Sequence, residues 1–332
     1  MAPESLGSEI LSRDLARVKK EFTAPIFDVV VLGARKAEHQ ALVKEFANFA
    51  VEPESDLLSQ QASDRGIYER AFSIRSGIEP PIGHDNKLIN VGFVECSEMG
   101  NLSAAIYTAV RAASLKPALM IFAGIAGSLD CTKFRIGDVI FPRSITFRPF
   151  NKFKSKIDGE THPQEETIDS INACLHGEGQ TELIDATVRD MMGHIDEKAL
   201  SAELKSLDIP KAWCVSHDIP NRKPEVLPDE GAFSWDKVLS NSGYVKYLRQ
   251  IIGNSATTVD MESFGFLKAL KMCSSREGLD ISTRGMIVRS VSDFAEFKDL
   301  TKSDKCWREL GLDNMAIATR FAVQTAFPKV FF

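Results

Sequence analysis

The chain is short of several things that define common functional classes. Its 332 residues include six cysteines, Cys96, Cys131, Cys174, Cys214, Cys273 and Cys306, and no two of them form a CxxC pair. That scatter argues against a zinc ribbon or finger and against a thioredoxin-type redox pair. Scattered thiols are most simply kept reduced, so a cytoplasmic protein is expected. The six histidines make no HxH or HExxH pattern, and no G-x-S-x-G elbow or P-loop occurs. No apolar run reaches the roughly 18 residues of a membrane span, and no secretory h-region opens the sequence. Positive charge is also in deficit, with 40 Lys and Arg against 46 Asp and Glu and a net charge of −6. Such a chain has no overall basic field, so neither nucleic acid nor an anionic membrane is expected as a partner.

What remains is ordinary globular material, 44% hydrophobic and 26% charged, with ample length for a large core. Residues 1–25 are polar and read as a helix or loose arm. Residues 27–32, 88–94, 118–123 and 286–291 read as buried strands. Residues 37–48 read as a helix with Leu42, Phe46 and Phe49 on one side. Leu102, Ala105, Ile106, Ala109, Val110 and Ala113 recur at helical spacing and predict an amphipathic helix ended by Pro117. Gly124-Ile125-Ala126-Gly127 reads as a tight turn, and Ile136-Gly137-Asp138-Val139 as a turn into a further strand. Residues 51–86 read as loop. Residues 148–235 are the least regular stretch, with helix over 181–207, a short strand at 212–215 and a proline-rich segment at 220–228. Helices are expected at 244–252, after residue 263 with Phe264, Leu267 and Leu270 inward, and over 313–326. Strands alternating with helices imply an α/β fold with a mostly parallel sheet.

Two of these strands end in acids: Val259-Asp260-Met261-Glu262 and Val288-Arg289-Ser290-Val291-Ser292-Asp293. Glu262 and Asp293 are about one βαβ unit apart. In such a unit parallel strand ends lie side by side, and ligands bind outside those carboxyl ends. Two acids are therefore expected in one cleft. That suits a hydrolase or transferase whose substrate offers hydroxyls to hold and a leaving group to protonate.

Taken in order, the motifs resemble a known family. They are Gly33-Ala34 followed by Glu38, Ser97 to Gly100 before a helix, Ala123 to Gly127, Ile136 to Val139, Asp260-Met261-Glu262, and Arg289-x-x-Ser292-Asp293. Over residues 27–325 the set resembles the purine nucleoside phosphorylase and nucleosidase superfamily, most closely the methylthioadenosine/S-adenosylhomocysteine (adenine) nucleosidase branch. The resemblance implies a three-layer α/β sandwich with a mixed, mostly parallel sheet over residues 26–332, with a long insertion around 148–235. It also implies a catalytic set. Asp293 would protonate the departing base near N7, and an Asp there favours 6-aminopurines. Glu262 would grip the ribose 2′- and 3′-hydroxyls, with Met261 against the sugar face. Glu38 would activate water. Gly33, Ser97, Gly124 and Ser292 would line the substrate, and Gly124 to Gly127 would back sugar and base. Plainer roles exist for each: a helix-capping Asp293 or Ser292, a core Met261, a first-turn Glu38 or Glu262.

The departures from the pattern also carry information. Arg35-Lys36-Ala37 stands where the nucleosidases carry a short acidic run. With Arg143 and Arg148, these cations would suit phosphates on the ribose 5′ side, as in AMP or ATP. Ser97-Glu98-Met99-Gly100 replaces a two-glycine loop, which removes a phosphate cradle and leans towards hydrolysis. The aromatic that stacks on the base is expected in the long segment, with Phe233 and Trp235 as candidates. No metal or organic cofactor is expected, the partner is a small purine nucleoside or nucleotide, and a homo-oligomer is implied. Two alternatives stay open: a phosphate-dependent purine nucleoside phosphorylase, and a nucleotide-binding sensor without catalysis.

Overall fold

A computed structural model describes residues 27–147 and 180–332, apart from residues 53, 57, 60–69, 78–86, 97, 210, 228–229, 236–244, 247, 250–256, 276–280 and 296–304. The expected N-terminal arm, Ser97 and Arg148 therefore lie outside the described residues. The strands are β1 (Val29–Gly33), β2 (Ala71–Arg75), β3 (Leu88–Glu95), β4 (Leu119–Ser128), β5 (Val139–Ile140), β6 (Ser144–Phe147), β7 (Gln180–Leu183), β8 (Val226–Leu227), β9 (Gly231–Ser234), β10 (Thr258–Asp260) and β11 (Arg284–Phe294). The helices are α1 (Lys36–Ala47), α2 (Asn101–Leu115), α3 (Ala186–Gly193), α4 (Glu197–Glu203), α5 (Lys211–Ser216), α6 (Ser263–Ser275), α7 (Lys305–Phe321) and α8 (Phe327–Phe331), with one π-helical turn at Ala322–Ala326. Among the described residues none is long and apolar enough to cross a membrane.

All these strands join one mixed sheet, ordered β2-β3-β1-β4-β10-β9-β6-β7, with β11 on β4 and β5, and β8 on β5. The centre is nearly all apolar and without exposed surface: Val29, Val30, Val31 and Leu32 of β1, Leu119 to Ala123 of β4, and Met286 to Val288 of β11. Runs of that kind must be covered on both faces. Successive strand residues face opposite sides. On one side Phe122 and Gly285 meet α6. On the other, Ile125 and Ser292 meet Gly311 of α7. Helix–sheet–helix layering follows, and the α/β sandwich with a mixed sheet is the observed architecture.

Several expectations change. The segment 51–86 is not all loop, since β2 pairs antiparallel with β3 there. Gly124 to Gly127 is not a turn but the continuation of β4, paired with β11 throughout. Residues 212–215 are helical, within α5. The stretch 181–207 opens with β7 before its two helices. The last long helix starts earlier, at Lys305. Phe49 is 40% exposed and lies under the Arg320 guanidinium instead of joining Leu42 and Phe46 in the core. Around 244–252 the described residues are helical.

The largest reversal concerns α2. Its apolar stripe faces outward, with Leu102 76%, Ile106 54% and Val110 56% exposed. The inward face is Asn101, Ala104, Thr108, Ala112 and Leu115, packed on α6. Small residues face inward because the two helices approach closely. A Cβ on Gly265 of α6 would lie 1.9 Å from the Asn101 carbonyl oxygen.

Candidate active site

The strand β4 organises the site. Along one edge it pairs with β1 as far as Phe122, opposite Leu32. Farther along it pairs with β10, where Gly127 lies opposite Val259. Between those two strands the edge has no strand neighbour, so the Ile125 N–H needs another acceptor. Glu38 supplies it: Ile125 N donates to Glu38 Oε1 at 3.0 Å. The other oxygen, Oε2, accepts the Arg35 backbone N–H at 2.9 Å, so Glu38 reaches back to cap the start of α1. Glu38 is only 4% exposed, so it is no solvated first-turn acid. Gly33 permits this turn, because a Cβ there would lie 3.0 Å from the His39 backbone nitrogen.

The opposite edge of β4 carries β11, with Asp293 opposite Gly127. Glu262 and Asp293 thus reach the same stretch of β4 from its two edges. The expected side-by-side parallel strands are not what brings them there: β10 runs antiparallel to β4, and β11 runs parallel to it. A bulge at Ser292 shifts the β11 register just before Asp293. Ser292 Oγ donates to Asp293 Oδ2 at 3.1 Å, and Asp293 is partly exposed. A Cβ on Gly127 would lie 2.9 Å from Asp293 Oδ1, so the missing side chain makes room for the acid.

A residue first read only as a letter of the motif proves central. Arg289 sits in the middle of β11 with no exposed surface. Its Nε donates to Asp260 Oδ2 at 3.0 Å and its Nη2 to Ser263 Oγ at 2.9 Å. Glu262 Oε2 is 3.7 Å from Nη2. The Phe122 ring centroid is 5.0 Å from the guanidinium. The third nitrogen, Nη1, is buried and has no hydrogen-bond partner among the described residues. It lies over Gly124, where a Cβ would be 2.2 Å from Nη1 and 2.8 Å from Glu38 Oε1. The available signal was an arginine inside an otherwise apolar strand, which must be paired to be buried at all.

Three carboxylates therefore surround one cation. Asp260 is saturated with donors: Arg289, Ser234 Oγ, Ser263 Oγ and the backbone N–H groups of Glu262 and Ser263. Burial alone would raise its pKa, but the Arg289 charge and those hydrogen bonds hold it below the usual carboxylate range. Glu262 has weaker support, with Gly100 N–H at 3.4 Å and its own neighbour's Met261 N–H at 3.3 Å. Burial pushes Glu262 up to about 7 despite Arg289, and the charges of Asp260 and Glu38 add to the rise. Burial would lower Arg289, yet Asp260, Glu262 and Glu38 hold it above the ordinary arginine value.

The remaining expected residues divide. Met261 is partly exposed between the two acids of its motif. Arg35 is partly buried, its Nε 2.6 Å from Met99 Sδ, while Lys36 and Arg143 are exposed. Phe233 does not present a face to the cleft. Its ring has no exposed surface and packs with Leu129, Trp235, Val245, Leu248, Val259 and Ala295. It is a packing residue here because β9 lies inside the sheet between β10 and β6.

No protein-family model matches the chain, and no curated protein matches it. Solved structures do. The futalosine hydrolase of Helicobacter pylori aligns over 90% of this chain and 97% of its own, at 14% identity and a TM-score of 0.52. The 5′-methylthioadenosine/S-adenosylhomocysteine nucleosidase of Neisseria meningitidis, in complex with methylthio-immucillin-A, aligns over 89% and 98%, at 17% identity and a TM-score of 0.51. The corresponding nucleosidase of Colwellia psychrerythraea, in complex with adenine, aligns over 91% and 95%, at 14% identity and a TM-score of 0.51. At such identities the likeness is one of fold, and it spans nearly the whole of each partner. The chain has the nucleoside phosphorylase/nucleosidase fold that these structures share.

Proposed function

We propose that the protein hydrolyses the N-glycosidic bond of an adenine nucleoside or nucleotide and releases adenine. The observation that carries this reading is the unpartnered Arg289 Nη1 beside Glu38 Oε1, over the bare Cα of Gly124. A donor with no protein partner close to a carboxylate suits the binding of a water molecule, held by the first and deprotonated by the second. Both Glu38 oxygens already accept a backbone N–H, but each keeps a second lone pair.

The charge balance supports water over phosphate. One guanidinium faces Glu38, Asp260 and Glu262, so the pocket is anionic overall. It repels a phosphate nucleophile and stabilises the positive charge that grows on the ribose as the bond breaks. Glu262, when ionised, accepts both ribose hydroxyls, with Met261 against the sugar. Asp293, on the other edge of β4, donates its proton to the purine as the base leaves, and Ser292 Oγ orients it.

Within this reading the nucleotide version rests on Arg35 and Lys36 at the start of α1, beside Glu38. The homo-oligomer rests on the bare stripe Leu102, Ile106 and Val110 of α2, whose N-terminus touches Glu262. Phosphorolysis remains the second reading.

Chromatography of products from adenosine, methylthioadenosine, AMP and ATP, with and without phosphate, tests the reaction. Adenine and free sugar without added phosphate are expected; strict dependence on phosphate would replace hydrolysis with phosphorolysis. Turnover of adenosine equal to that of ATP would remove the nucleotide version. Asp293→Asn should lower adenine release by roughly 10²–10⁴-fold, as loss of a general acid does.

A further inference from the structure

We infer that Arg222, acting through Asp138, is a positioning residue for Asp293: the pair locks the turn that fixes where the bulge in β11 falls. This rests on the reading of Asp293 as the acid.

The bulge follows Val291, and both backbone groups of Val291 are held by one turn. Gly137 N donates to the Val291 carbonyl at 2.8 Å, and Val291 N donates to the Asp138 carbonyl at 2.8 Å. Pairing of β11 with β5 continues from there, with Ser290 opposite Val139. Beyond Val291 the register with β4 shifts and Asp293 begins its own pairing. A slip of one residue at that point would send Asp293 to the opposite face of the sheet. The position of the turn therefore decides whether the acid faces the cleft.

The turn is itself pinned by a buried charge. Asp138 has no exposed surface. Arg222 grips it with both arms of the guanidinium, Nη1 to Oδ1 and Nη2 to Oδ2, each at 2.7 Å. The backbone N–H groups of Arg135 and Glu225 complete the set at 2.8 and 3.0 Å. Arg222 also donates to the Lys133 carbonyl at 3.2 Å, so it spans the turn from behind. Gly137 takes φ +90°, where a Cβ would lie 2.9 Å from Asn314 Nδ2 and from Leu310 Cδ2, so the turn can neither relax nor be refilled. The fork geometry matters because lysine offers one point charge and cannot hold both oxygens in one plane. Arg222 lies in the segment expected as an insertion, which on this inference helps build the active site.

The test uses the full-length protein. Arg222→Met, Arg222→Lys and Asp293→Asn are compared for adenine release from whichever substrate the product panel identifies, at temperatures well below unfolding. Expected for Arg222→Met is a fall in kcat of about 10–100-fold with KM changed less than about threefold, the signature of a misplaced catalytic group. The split between kcat and KM is the readout that a merely structural role would not move, and Arg222→Lys should recover part of kcat. A lower melting temperature with unchanged kcat in the folded fraction would overturn the inference. So would parallel loss of kcat and folded protein in both Arg222 variants. If Asp293→Asn keeps full adenine release, the proposed function itself fails. If Asp293→Asn is inactive while Arg222→Met is unimpaired, only the positioning role fails.

Discussion

Substituting Gly124 by alanine tests the centre of the site with one methyl group. The new Cβ would lie 2.2 Å from Arg289 Nη1 and 2.8 Å from Glu38 Oε1. Ordinary contact needs roughly 3.5–4.0 Å, so the guanidinium must retreat by more than about 1 Å. It has little room to do so. Nε is tied to Asp260, Nη2 to Ser263, and the Phe122 ring lies against the plane. Overpacking of this kind costs about 1–3 kcal/mol. A displacement of about 1 Å at a catalytic group can cost 10²-fold in rate, which is roughly 2.7 kcal/mol of barrier. Gly124→Ala should therefore fold, melt several degrees lower, and release adenine about 10²-fold more slowly. The assay pairs kcat by product chromatography with a thermal melt. Gly193→Ala is the control, since a Cβ there meets nothing within 4 Å. A Gly124→Ala protein with unaltered kcat and melting temperature would refute the arrangement of Arg289 and Glu38 described above.

Three further outcomes follow from the same geometry. Glu262 is raised from 4.5 to about 7, so the folded protein holds a proton there that the unfolded chain has lost. Its contribution to stability is complete below about pH 4.5 and disappears as the pH rises through about 7. Activity should run the other way, with kcat/KM rising through an acid limb near pH 7 as the carboxylate ionises; Glu262→Gln should abolish both trends in melts and rate profiles. Asp260→Asn leaves Arg289 short of its main counter-charge and should cost about 3–5 kcal/mol, read from denaturant midpoints; an unchanged midpoint would contradict the pairing. Leu102→Glu with Ile106→Glu should convert the protein to monomers in sedimentation, and a wild-type protein already monomeric at assay concentrations would remove the oligomer.

Much of this was legible in residue order, and the rest failed for definite reasons. Continuous apolar runs identified β1, β4 and β11 because buried strands need no polar face. Glu38, Glu262 and Asp293 were found as motif residues, and they do converge on one stretch of β4. Gly124 and Gly127 were misread as a turn, since glycine signals a bend as readily as a missing side chain. Their use here is to leave space for Arg289 and Asp293. Helical spacing located α2 but not its orientation. Periodicity defines a face without saying whether core or solvent receives it, and small inward residues are what close packing on α6 requires. Arg289 belongs to the motif, but its role is not legible there because its partners, Glu38, Asp260 and Glu262, are gathered from distant parts of the chain. The bulge at Ser292 has no local signature either, being imposed by a turn far away in sequence.

The contact between α2 and α6 has a mechanical meaning. Asn101 accepts Gly265 N–H through its side-chain oxygen, and its backbone touches Gly265 with no side chain between. Glu262 immediately precedes α6, and its nearest support across the cleft is the N–H of Gly100, immediately before α2. The two helices are therefore fastened to each other at the end where Glu262 and Gly100 meet. On the proposed function, a body seated on the outer stripe of α2 would bear on the helix pair that carries the sugar-binding carboxylate.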